Sequence, residues 1–171
     1  MIILGIDPGY AIVGYGVVDY AANHFTVIDY GAVTTDANTP FLQRLDEIYD
    51  GMCYLMEKHR PEAMAIEKLF YNTNAKTVID VGQARGVLVL AAQQHKLDIA
   101  EYTPLQVKQS VVGYGRAEKR QVMEMVRRML DLAEVPKPDD AADALAIALC
   151  HGRAATSLLF QAGEKGQCST I

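Results

Sequence analysis

The 171-residue chain has three cysteines, no long apolar run and no basic stretch at its start. Cys53, Cys150 and Cys168 are odd in number, widely separated and without metal-ligand spacing, which excludes a disulfide framework and a zinc knuckle. The longest apolar segments, such as Gly86 to Ala92, fall well short of the roughly 18 residues that span a bilayer. No membrane association is therefore expected. Ile2 to Ile6 is apolar but has no basic residue before it and Asp7 directly after it, unlike a secretory signal, so a cytoplasmic protein is expected. The four histidines, His24, His59, His95 and His151, lack ligand spacing or a nearby nucleophile arrangement, and no catalytic role is assigned to them.

What is present is ordinary globular composition, with 50% hydrophobic and 22% charged residues. One domain with a sizeable core is expected over residues 1–153, followed by a C-terminal tail, 154–171, that thins into Ser, Gly, Gln and Thr. The formal charge of -5 counts against a nucleic-acid partner until its distribution is considered. Lys108 to Arg128 holds six basic and two acidic residues, a balance of +4 against -9 elsewhere. That segment fits either a basic binding surface or a solvated helix face.

Patterning predicts three short, adjacent, antiparallel strands at Ile2–Ile6, Val13–Val18 and Phe25–Val33. An amphipathic helix follows Thr39-Pro40 and ends near Pro61. Met64–Ile66 reads as a buried strand leading into Glu67, Asn74–Gln94 as a helix, and Ile99–Tyr102 as a fifth strand. Helices are then expected from Thr103-Pro104, over Glu118–Leu132, and from Asp139 or Asp140 onward. This order describes an α/β fold with a mixed five-stranded sheet flanked by helices.

Three acidic features resist a purely structural account. Asp7 ends what should be a central strand, where it could also cap its own Pro8-Gly9 turn. Glu67 ends a second apolar run, and Glu is favoured neither in turns nor in strands. Asp140 and Asp143 share one helix face; helix capping explains the first, but Asp143 lies among Ala141, Ala142, Ala144 and Leu145, where a lone carboxylate is costly. If the four converge, their repulsion calls for cations, and all-oxygen ligands suit Mg2+ or Mn2+. Two such ions support in-line displacement at a phosphodiester.

The ordered segments Gly5-Ile6-Asp7-Pro8-Gly9, Ala65-Ile66-Glu67, Gly82-Gln83-Ala84-Arg85-Gly86, Gln106-Val107-Lys108, Gly115-Arg116-Ala117-Glu118-Lys119 and Asp140-Ala141-Ala142-Asp143-Ala144-Leu145-Ala146 resemble the RuvC family of bacterial Holliday-junction resolvases, over about residues 1 to 152. The resemblance implies a ribonuclease H-like fold and an endodeoxyribonuclease of recombination and repair that resolves four-way DNA junctions by paired symmetrical nicks. It implies that Asp7, Glu67, Asp140 and Asp143 hold two Mg2+ ions per active site, Mn2+ being able to substitute, and that Lys108 and Lys119 act near the scissile phosphate. Phe70, Tyr71 and Asn74 match a loop that enters the junction core; Arg116 and Arg120 flank Lys119 and are candidates for backbone phosphates. Gln83 and Arg85 fall on a helix that either forms a dimer or flanks DNA. A homodimer working with a RuvAB-type branch-migration complex is also implied. The rival expectations are a related nuclease acting on RNA, a non-catalytic junction-binding module, and an actin-like phosphotransferase; the last needs two domains where this chain supplies one.

Overall fold

The computed structural model describes residues 1–69 and 75–166, the side chains of 75–77 and 157–166 excepted. Strands β1 (Ile2–Asp7), β2 (Ile12–Ala21) and β3 (His24–Thr34) form an antiparallel meander, followed by helix α1 (Phe41–His59). Strand β4 (Ala63–Glu67), helix α2 (Ala75–Gln94) and strand β5 (Asp98–Tyr102) come next, then helices α3 (Pro104–Val112), α4 (Lys119–Met129) and α5 (Asp139–Gly166). The sheet order is β3-β2-β1-β4-β5, with β4 and β5 parallel to β1 and β2 antiparallel to it. This is the mixed five-stranded α/β architecture expected from the pattern. Helix α5 runs on to Gly166, past the boundary expected at residue 153.

Strand alternation decides which side chains meet which helices. Successive residues of a strand face opposite sides of the sheet. Leu4 and Ile6 of β1, with Val13 and Val17 of β2 and Met64 and Ile66 of β4, pack on α1 and α2 through Ile48, Met52 and Leu88. Ile3, Val18 and Ala65 face the other way, into a core closed by Val107 of α3, Val122 and Val126 of α4, and Leu145 to Leu149 of α5. Two residues beyond Ala65 and four beyond Ile3, Glu67 and Asp7 fall on this α5 side by the same parity.

Helix α5 lies unusually close to the sheet. A Cβ on Gly5 would fall onto the Ala144 carbonyl and Ala148, one on Gly14 onto the Asp140 backbone, and one on Gly16 onto Leu145. Gly5 pairs with Gly16, and Gly14 with Asp7, so the three glycines form a seat across β1 and β2. The alanines of α5 are its counterpart: from Ala141 to Cys150 every residue except Asp143 is buried.

Candidate active site

Asp7 stands at the C-terminal end of the central strand, half-buried, opposite Gly14. Because Gly14 lets the first turn of α5 descend onto the sheet, Asp140 and Asp143 are delivered to the same end. Glu67 arrives from β4, which continues parallel to β1 with Ile66 beside Ile6. The convergence registers in the chemistry of Asp7: burial, then the charges of Glu67, Asp143 and Asp140, raise its pKa to about 7, opposed by Lys119. Glu67 is raised as well, by burial and then Asp143, with Lys108 and Lys119 pulling the other way.

Two lysines answer this charge. Thr103 caps α3 reciprocally with Gln106, its Oγ1 accepting from the Gln106 N–H at 3.1 Å while its own N–H donates to Gln106 Oε1 at 2.8 Å. This start, with Pro104 as the first helical residue, sets where Lys108 falls along α3. The Glu118 N–H likewise donates to Gln121 Oε1 at 2.8 Å, so that α4 begins at Lys119. The Lys119 ammonium sits 2.9 Å from Asp143 Oδ2 and 3.6 Å from Asp139 Oδ2. Burial would lower its pKa, but hydrogen bonding to Asp143 and the charges of Asp143 and Asp139 leave it raised. Glu67, Lys108, Lys119 and Asp143 line one cleft of about 220 Å3, floored by Val107, Val122 and Ile147.

The donor chemistry fits a hard divalent cation: four half-buried carboxylates, all oxygen, with a buried surplus of negative charge. Among the described residues no three ligand-type side chains already close on one point as a finished cage. Asp143 is held by Lys119 instead, at 2.9 Å.

The other residues singled out in the sequence are placed less centrally. Arg116 and Arg120 are exposed, and Arg120 borders a separate cleft with Gln121, Glu124 and Arg128. Phe70, Tyr71 and Asn74 lie outside the described residues. His59 binds Asp29 at 3.0 Å and His151 binds Tyr102 at 2.9 Å; neither is among the groups acting on Asp7 or Glu67. Arg85 bonds to Glu101 and donates from Nε to the Glu67 carbonyl at 3.4 Å, bracing β4 just where Glu67 leaves it. That support, like the glycine seat, escaped the sequence argument, although glycines inside strands facing an alanine-rich helix are a signal of close approach.

Acids converging at the end of a mixed sheet, with lysines around them, define a nuclease of the ribonuclease H-like class. The description "Crossover junction endodeoxyribonuclease RuvC" belongs to a family model that matches residues 3–151, and the chain belongs to that family. It is 60% identical over 152 residues to a protein of that name from Ruminiclostridium cellulolyticum, covering 89% of this chain and 92% of the relative. Among solved structures it resembles Thermus thermophilus RuvC, with a TM-score of 0.85 and 36% identity over 92% of this chain and 96% of the other. A T. thermophilus RuvC in complex with Holliday junction substrate matches with a TM-score of 0.86 and 37% identity, over 91% and 94%.

Proposed function

We propose that this chain is a divalent-metal-dependent endodeoxyribonuclease that resolves four-way DNA junctions in recombination and repair by paired, symmetrical nicks. The observation that supports it is geometric: Gly14, opposite Asp7, seats the first turn of α5, so that Asp140 and Asp143 join Asp7 of β1 and Glu67 of β4 at one end of the sheet in a member of this family. Asp7, Glu67, Asp140 and Asp143 would hold two Mg2+ ions, with Mn2+ as a substitute. Bound there, such ions supply an activated water and neutralise charge on the attacking and departing oxygens.

The chain's own residues do the remaining work. Lys119, whose ammonium lies 2.9 Å from Asp143 Oδ2, would offer the same positive charge to a phosphate oxygen. Lys108, across the cleft, offers a second point charge to the same strand. Arg116, ahead of α4, and Arg120, on its first turn, are exposed and extend the basic track. The family resemblance places Phe70, Tyr71 and Asn74 in a loop that enters the junction core, where the Phe70 ring would stack on an unpaired base.

Paired nicks require two copies. On α2, Ile79 and Leu90 are 65% and 52% exposed, and Gln83 and the side-chain-free Gly86 lie between them on the same helical stripe. That face supports a symmetric homodimer. Cooperation with a RuvAB-type branch-migration complex and a cytoplasmic location complete the proposal; no described helix is long and apolar enough to cross a membrane.

The test is Mg2+-dependent cleavage of a synthetic four-way junction against linear duplex of the same sequence, with the ends mapped. Paired nicks at symmetrical positions on the junction alone are expected. Equal cutting of both substrates would overturn the junction assignment.

A further inference from the structure

Among the described residues Arg44 is the only charged side chain that is buried, at 7% exposure. It stands on the first turn of α1, where its guanidinium lies 3.6 Å above the Tyr10 ring and its Nε donates to Thr35 Oγ1 at 2.8 Å. Thr35 Oγ1 donates to the Tyr10 carbonyl at 2.9 Å, the Thr35 N–H donates to the Ala11 carbonyl at 3.0 Å, and Phe41 packs on Tyr10 with ring centroids 5.1 Å apart. The guanidinium is therefore fixed, and fixed on the turn that directly follows Asp7.

An anion is what this arrangement lacks. No carboxylate pairs with Arg44 among the described residues, and the cation that lowers the Asp7 pKa is Lys119. A buried, uncompensated guanidinium is costly unless something completes it. Nη1 and Nη2 have no acceptor among the described residues, yet no buried side-chain nitrogen there lacks a partner, so both amino groups keep some access to the surface. A rigid pair of donors with a surplus positive charge matches the oxygens of a phosphate diester.

Position favours a strand that crosses the sheet end. Thr35 follows β3, two strands from β1 on one side and so about 10 Å away in the sheet plane. Lys108 follows β5, two strands away on the other. Asp7 lies between them. We propose that Arg44 binds a backbone phosphate flanking the scissile one, on the β3 side of Asp7, opposite the phosphates held by Lys108 and Lys119. This rests on the junction-cleaving function given above.

The experiment measures junction binding without divalent metal, so that nothing is cut, across a salt series. Losing one phosphate contact lowers the slope of log K against log salt by about 0.9. Arg44→Gln should show that loss together with roughly tenfold weaker binding at low salt. An unchanged slope and affinity, even with slower cleavage, would overturn the assignment and leave Arg44 as a brace for the turn. Should Arg44→Gln fail to fold, Arg44→Lys is compared with wild type on junctions neutralised at single phosphates by methylphosphonate. One position flanking the cut should weaken wild type more than the variant, and the absence of any such position would overturn the proposal. If wild type itself does not prefer junctions to duplex, it is the function that fails, whatever Arg44 does.

Discussion

The Asp7 carboxylate is held where it is least comfortable. Burial and three neighbouring acids keep its pKa near 7, against about 3.9 in an unfolded chain. With the folded value raised, the native state binds the extra proton, so the metal-free protein loses stability as pH rises from about 4 to 7. Asp7→Asn removes that charge without changing shape. In metal-free protein at neutral pH the variant should melt roughly 5 °C higher than wild type while losing cleavage, as checked by thermal denaturation beside the junction assay. A lower melting temperature would show that Asp7 is not strained by its neighbours.

The same proton competes with metal. At limiting Mg2+, cleavage should rise with pH through about 7, and higher Mg2+ should move the midpoint down, because cation binding and protonation exclude each other at Asp7. Rate profiles at two metal concentrations decide this; a midpoint that ignores Mg2+ would contradict it.

At the scale of elements, the site depends on how closely α5 lies on β1 and β2. Gly14→Ala would drive a methyl into the Asp140 backbone and lift the helix start that carries Asp140 and Asp143. Cleavage should fall by about a hundredfold, since small misplacement of reacting groups is that costly, while metal-free junction binding changes little. Loss of binding in parallel with cleavage would point to general unfolding instead. The strands and helices themselves were legible because their apolar periods are clean, and Asp7 and Glu67 stood out as charges at the ends of apolar runs, Asp143 as a charge inside one. The glycine seat was not, because its meaning depends on which helix lies opposite. Arg44 hid for a similar reason: on α1 it reads as an ordinary solvated arginine, and only the fold brings Tyr10 and Thr35 around it.

For the whole molecule, an acidic protein that acts on DNA must concentrate its positive charge. Lys108 and Lys119 do so at the cleft that they share with Glu67 and Asp143, and Arg116 and Arg120 add exposed positive charge on either side of Lys119 in the sequence. Asp7, Glu67, Asp140 and Asp143 are, on this proposal, held together for divalent ions. Anomalous diffraction from crystals soaked with Mn2+ should show two peaks bounded by those four carboxylates, with Lys119 withdrawn from Asp143. Peaks confined to other parts of the surface, with this cleft empty at saturating Mn2+, would contradict the proposal.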